Sequence, residues 1–162
     1  MRIEILTRSH NRQGFDCGNA DLDRYLRDTA RQHSEKGISH TFVLVDEENP
    51  SEILGFFTLA SCEILVEKLP EKYPSRAPAV KLGRLAVAKH KQKRGLGTHM
   101  MINAMGRVLK VWEHLGLIGF FVDAKNDEAA LFYHQFGFIP LPDNPFELFL
   151  PLATIRQAFR TG

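Results

Sequence analysis

The stretch "KHKQKRGLG", Lys89 to Gly97, gathers four fixed cations and two glycines into nine residues. Lysine and arginine at that density attract an anion, and Gly95 and Gly97 lack the Cβ atoms that would keep a phosphate away from main-chain N–H groups. Three uses fit such a stretch: a nucleic-acid patch, a solvated basic loop, or a cradle for the phosphates of a nucleotide cofactor. Neither G-x-G-x-x-G nor G-x-x-x-x-G-K-[ST] is present, so it is neither a dinucleotide fingerprint nor a Walker loop. A second chemical group stands at Tyr133, a phenol that stays protonated at neutral pH and can act as a proton donor. Asn126 precedes it by seven residues, which on a helix returns to nearly the same face about 10 Å along the axis.

These side chains need elements to hold them. "VKLGRLAVA" predicts a strand running into the basic loop. Beyond the glycines, Leu96, Met100, Met101, Ala104, Val108, Val111, Trp112 and Leu115 form a helical stripe, with Gly116 as its stop. Strand, glycine loop and helix in that order present N–H groups and the positive end of a helix to an anion. Upstream, Asn19 caps one amphipathic helix carrying Leu22, Tyr25, Leu26 and Thr29, and "HTFVLVD" with "EILGFFTLASCEIL" reads as a hairpin around the turn "EENPS". "EKLPEKYPSRAPA", with three prolines, reads as a loop. Downstream come a strand, "LIGFFVDA", and an Asn-capped helix, "NDEAALFYHQFG", with Ala129, Phe132, Tyr133 and Phe136 facing inward. A strand–turn–strand, "FIPLPDNPFELFLPL", and a closing helical turn or two, "ATIRQAF", follow. The sum is a mixed α/β fold, expected as a single domain over residues 1–162.

Composition narrows the class. No apolar run reaches the eighteen residues of a membrane helix and the N-terminus has no signal-like apolar core, so the expectation is no membrane association and a cytoplasmic location. Cys17 and Cys62 cannot build a disulfide framework, and no histidine spacing matches a metal site, so no metal is expected. The net charge of +2 conceals an asymmetry. Ten of the 21 basic residues, and none of the 19 acidic ones, fall between Lys72 and Trp112. A cationic segment set in an acidic body points to an anionic ligand.

Three stretches in order, "KLGRLAVAKHKQKRGLG", "GFFVDAKN" and "AALFYHQFGF", resemble the GCN5-related N-acetyltransferase (GNAT) family. The resemblance implies a mixed central sheet splayed around an acetyl-CoA site, with flanking helices. It places the pyrophosphate on Gln92, Lys93, Arg94, Gly95, Leu96, Gly97 and Thr98, pantetheine on the backbone of Leu85, Ala86 and Val87, and Tyr133 beside the cofactor sulfur. Asn126 would contact the pantetheine arm. Together "FDCGNADLDRYLRDTARQ", "GFFTLA", "VDAKN" and the closing "LFLPL" are similar to the acetyltransferase toxins of type II toxin–antitoxin systems. That narrower resemblance implies acetylation of the α-amino group of the amino acid on charged tRNA, a block of translation, and a ribbon-helix-helix antitoxin. Toxins of this group are commonly homodimers. Acetylation of a small-molecule or peptide amine is the alternative.

The chemistry bears on that choice. A lysine ε-amine, with a reference pKa near 10.4, needs a base, whereas an α-amino group near 8 needs little help. The strand before the loop offers Lys81 and Arg84 and no acid; Glu63, one strand earlier, is either a water-relayed base or a solvated carboxylate. Arg84 either lines a groove for tRNA phosphate or pairs with an acid of the body. Lys81, Lys89, Lys91 and Arg76 are further candidates for RNA phosphates, joined by Lys72, Arg24, Arg27 and Arg31. Between the cofactor's 3′-phosphate and an RNA backbone, the sequence leaves Lys89 to Arg94 open.

Overall fold

The computed structural model describes residues 1–65 and 76–160. Strands β1 (Arg2–Ile5), β2 (His40–Val45), β3 (Gly55–Leu65), β4 (Arg76–Val87), β5 (Gly119–Asp123), β6 (Ile139–Leu141) and β7 (Asn144–Pro151) follow one another along the chain. Between and after them lie helices α1 (Ala20–Asp28), α2 (Ala30–Glu35), α3 (Leu96–Trp112), α4 (Asp127–His134) and α5 (Leu152–Arg160). The strand order is β1-β2-β3-β4-β5-β7-β6, with β4 and β5 parallel and the other assigned neighbours antiparallel. This is the mixed α/β sheet the sequence predicts. Among the described residues no helix is long and apolar enough to cross a membrane, and no group of three or more His, Cys, Asp and Glu could hold a metal ion.

Two compact units are resolved by contact: Met1–Ala60 with Gly83–Ala104, and Ser61–Leu82 with Met105–Gly162. In the first, β1, β2 and the start of β3 form an antiparallel ladder with Phe42 opposite Phe57 and Val43 opposite Phe56. The "EENPS" turn closes this hairpin, Asn49 N–H donating to the Asp46 carbonyl at 3.0 Å. Leu6, Phe15, Tyr25, Leu26, Ala30, Val43, Val45, Ile53, Phe56, Ala86 and Ala88 pack into one apolar cluster. Asn19 caps α1 as the sequence predicts, its side chain accepting from the N–H groups of Asp21 and Leu22. The single helix expected here is broken, because Thr29 leaves helical geometry at φ −124°, and α2 restarts at Ala30. Tyr25 and Leu26 before the break and Ala30 after it are all buried.

In the second unit β5, β7 and β6 form an antiparallel ladder, Phe121 opposite Phe149 and Val122 opposite Leu148. Ile64, Ala79, Phe121, Leu141 and Phe149 make its apolar cluster. β4 begins at Arg76, earlier than the proline content indicates. Pro78 stands exposed between buried Ala77 and Ala79 and needs no N–H for the bond it makes, since its carbonyl accepts from Ile118 N–H at 2.9 Å. The rest of "EKLPEKYPSRAPA", including Lys72, lies outside the described residues. Helix α3 ends at Trp112, four residues before the expected stop at Gly116, with a turn closed by Leu115 N–H on the Val111 carbonyl. α5 is longer than the turn or two expected. On α4 the buried residues are Ala130 and Tyr133, with Ala129, Phe132 and Phe136 half-buried, so the inward face is rotated from the predicted one.

Gly119 opens β5 at φ 157°, where an added Cβ would collide with the Leu150 carbonyl oxygen and press within 2.9 Å of the Phe149 ring. Gly119→Ala is therefore expected to destabilise the protein by about 2–3 kcal/mol, through overpacking at a backbone that cannot yield. Urea unfolding of the variant measures it, and an unchanged midpoint would contradict the register of β5 on β7.

Candidate active site

The basic loop is built by main-chain hydrogen bonds. Ala88 N–H donates to the Leu54 carbonyl at 2.9 Å, Lys89 N–H to the Asp16 carbonyl at 2.8 Å, and a single 3₁₀ turn over Lys89–Lys91 follows. The chain then reverses through two residues of the left-handed region, Lys93 at φ 63° and Gly95 at φ 78°. Glycine takes that conformation freely, whereas for Lys93 it costs roughly 1–2 kcal/mol. Gln92 offsets the strain: its Nε2 donates to the Cys17 carbonyl and to the Val87 carbonyl, each at 2.9 Å. Two such bonds contribute about 1–3 kcal/mol together, the size needed to keep the loop in this shape.

Immediately after Gly95 comes α3, whose first intrahelical bond runs from His99 N–H to the Gly95 carbonyl at 3.1 Å. The N–H groups of Leu96, Gly97 and Thr98 therefore have no carbonyl one turn back, and they face the positive end of a 17-residue helix. α1 and α4 place acids in their first turns, Asp21 and Asp23 in one and Asp127 and Glu128 in the other; α3 has none. Nothing lies within 4 Å of where a Gly95 Cβ would stand. Bare N–H groups, an uncompensated dipole, open space and the exposed cations Lys93 and Arg94 fit the diphosphate of acetyl-CoA. On β4, Leu85 and Val87 are half-buried and Ala86 is buried.

Arg84 does not pair with an acid of the body among the described residues. Its guanidinium carbon sits 3.5 Å from the centroid of the Tyr25 ring. The Tyr25 hydroxyl is fixed in turn by His33 Nδ1 and Ser39 Oγ, each at 3.1 Å. A stacked guanidinium keeps its N–H donors in the ring-parallel plane, aimed outward from the edge. Among the described residues no carboxylate pairs with it, nor with Lys89, Lys91, Lys93 or Arg94. Periodicity gave no sign of this stack, because it joins residues 59 positions apart.

In the second unit, Asn126 caps α4, its Oδ1 accepting from Ala129 N–H at 2.8 Å, so that oxygen already has a helical partner. Tyr133 lies on the same helix with its ring edge-on to Phe132 and Phe138, at centroid distances of 5.3 and 5.7 Å. The chain leaves α4 through Gly137, whose N–H donates to the His134 carbonyl, and this brings Phe138 back onto the tyrosine. The aromatic seat buries the ring to 8% exposure and pushes the phenol pKa up to about 12, by desolvation. Lys81 pairs with Asp123 at 3.0 Å, and Arg76 with Glu63 at 3.3 Å. That pairing makes Glu63 an exposed ion-pair partner rather than a dedicated base. Cys17 and Cys62 are half-buried free thiols whose pKa values burial raises, Cys17 to about 11, so neither is an activated nucleophile.

The raised phenol pKa has a signed consequence for stability. Because the folded value exceeds the unfolded value near 10, the contribution of Tyr133 is complete below pH 10 and is lost as pH rises through about 12. Wild-type protein is expected to lose about 2–3 kcal/mol more than Tyr133→Phe across that window. Parallel urea titrations at pH 9 and pH 12 measure this, and identical losses would refute the buried phenol.

The comparisons with known proteins agree with this geometry. Residues 37–140 match the family model described as the acetyltransferase (GNAT) domain. A tRNA-acetylating toxin of Mycobacterium tuberculosis (strain ATCC 25618 / H37Rv) is 34% identical over 146 residues, covering 88% of this chain and 86% of that protein. The structure of AtaT complexed with acetyl-methionyl-tRNAfMet matches with a TM-score of 0.89 at 33% identity over 98% of each chain. A tyrosine-to-phenylalanine mutant of the AtaT toxin, bound to the C-terminus of the antitoxin AtaR and acetyl-CoA, matches with a TM-score of 0.83 at 34% identity, over 98% of this chain and 97% of that one. The chain therefore belongs to the GNAT family of acetyltransferases, enzymes that take their acetyl group from acetyl-CoA.

Proposed function

We propose that this chain transfers acetyl from acetyl-CoA to the α-amino group of the amino acid on charged tRNA, as the toxin of a toxin–antitoxin pair. The observation that carries the reading is Arg84, a guanidinium held on the Tyr25 ring with no carboxylate partner among the described residues, on a strand without a single acid from Arg76 to Val87. A fixed cation of this kind suits a phosphate, and a strand without a base suits an amine that needs none. The likeness to a tRNA-acetylating toxin and to AtaT complexed with acetyl-methionyl-tRNAfMet supports the same choice.

In this reading the main chain of Leu85, Ala86 and Val87 pairs with pantetheine, and the loop from Gln92 to Thr98 holds the pyrophosphate. Asn126 closes on the pantetheine arm through its amide. The amine nitrogen bonds to the thioester carbonyl carbon, the C–S bond breaks, and the amine proton leaves to water while the sulfur gains one. Tyr133 serves the sulfur. With a pKa of about 12 against about 8.5 for a thiol, full transfer of its proton is uphill by three to four units. The phenol therefore acts chiefly as a neutral hydrogen-bond donor, one that strengthens as charge develops on sulfur.

Arg84, Lys81, Lys89, Lys91 and Arg76 receive the tRNA backbone. Lys81 and Arg76 exchange exposed carboxylate partners for phosphate, and such surface pairs are worth only about 0–1 kcal/mol, so the exchange costs little. A ribbon-helix-helix antitoxin covers the site and silences it. The toxin works as a homodimer in the cytoplasm, where charged tRNA is found.

Incubation of the purified protein with acetyl-CoA and charged tRNA is expected to yield N-acetyl-aminoacyl-tRNA; absence of product from every charged tRNA, with acetylation of a free amine instead, overturns the reading. Tyr133→Phe is expected to lower kcat about 10²-fold or more while acetyl-CoA still binds. Arg84→Ala is expected to raise KM for charged tRNA about ten-fold and to flatten its salt dependence, leaving KM for acetyl-CoA unchanged. A shift in the acetyl-CoA KM would place Arg84 on the cofactor instead.

A further inference from the structure

The segment Phe15–Asn19, part of "FDCGNADLD", makes four separate attachments around the basic loop and its own helix. The Asp16 carbonyl accepts Lys89 N–H at 2.8 Å, and the Cys17 carbonyl accepts Gln92 Nε2 at 2.9 Å. The Lys89 stem lies alongside Gly18. Asn19 caps α1. The segment is itself held: Asp23 Oδ1 accepts Cys17 N–H at 3.0 Å, and Asp16 Oδ1 accepts Gly18 N–H at 2.9 Å. Gln92 thus spans 75 residues of sequence, and with its second bond, to the Val87 carbonyl, it ties this segment to the end of β4.

We infer that Phe15–Asn19 is a positioning element for the cofactor, acting through Gln92 to hold the loop in the shape that binds the acetyl-CoA diphosphate. The Gln92 side chain then has a task different from the one the loop motif assigns it. Its amide donors face two carbonyls rather than the ligand, and the ligand is met by the N–H groups that the clamp keeps aligned. Lys93 lies directly after the clamp at φ 63°, a shape a lysine leaves readily once the preceding residue is released. Asp23 extends the same path one step further, since it holds the N–H of Cys17, the residue whose carbonyl accepts from Gln92. This inference rests on residues 92–98 being the diphosphate cradle.

The test is calorimetric binding of acetyl-CoA to the full chain, with thermal unfolding measured alongside. Gln92→Met, close in shape and lacking both donors, is expected to bind acetyl-CoA about ten-fold more weakly. Asp23→Ala is expected to bind several-fold more weakly and Asp23→Asn, which keeps the accepting oxygen, like wild type. The double variant Gln92→Met/Asp23→Ala is expected to be no weaker than Gln92→Met alone, because both act on one path. Wild-type affinity in Gln92→Met with a lowered melting temperature would make the clamp merely structural, and fully additive losses would separate Asp23 from it; either result overturns the inference. Amide exchange keeps the cradle distinct: acetyl-CoA is expected to slow exchange of Lys93 to Thr98. Protection there with unchanged affinity in Gln92→Met sinks the clamp alone, whereas no protection sinks the cradle and the clamp together.

Discussion

β4 has to stop pairing, reverse, and deliver the first turn of a helix between Ala88 and Leu96, and much else in the first unit is arranged around that constraint. A reversal this short has few hydrogen bonds of its own. The 3₁₀ turn supplies two, Lys91 N–H to the Ala88 carbonyl at 2.9 Å and Gln92 N–H to the Lys89 carbonyl at 3.4 Å. The others come from outside the reversal: Leu54 from β3's approach, Asp16 and Cys17 from the segment before α1. The loop's shape is therefore a tertiary property, set by residues far away in sequence, even though its glycines are local. This explains why a short glycine pattern alone carries little information: the loop and the N-terminal "FDCGNADLD" are one hydrogen-bonded structure.

What the sequence made legible was whatever depends on spacing. Asn19 and Asn126 were readable as caps, because a side chain that accepts from N–H groups two or three residues ahead leaves a local signature. The hairpin around "EENPS", the strand–loop–helix at the basic stretch and the strand pair closing the chain follow from periodicity and turn residues in the same way. β1, only four residues long, gave too short a signal even though Arg2, Ile3, Glu4 and Ile5 alternate. The partners of the cations were not readable at all. Lys81 with Asp123, Arg76 with Glu63 and Arg84 with Tyr25 are each fixed by strand register and helix packing, so composition could count the charges without pairing them. The count did overstate what is available to a ligand: two of the cations on β4 are already engaged with acids, and the third with a ring.

Arg84 and Tyr133 illustrate opposite uses of an aromatic neighbour. Under Arg84 the Tyr25 ring stands where a counter-ion could, which among the described residues leaves the guanidinium without a carboxylate partner; a carboxylate in the same place would neutralise the field that the proposed phosphate would need. Around Tyr133 the rings of Phe132 and Phe138 do the reverse, removing water so that the ionised phenolate becomes costly. A phenol at the rim, near its ordinary value, would be the stronger acid. A thiolate with a reference pKa near 8.5, however, is a tolerable leaving group at neutral pH and can collect its proton from water. In the proposed reaction the demand on Tyr133 is then to stay neutral beside a growing negative charge and to point at it. A phenol pushed to about 12 and wedged edge-on between two rings meets that demand better than a freer and more acidic one.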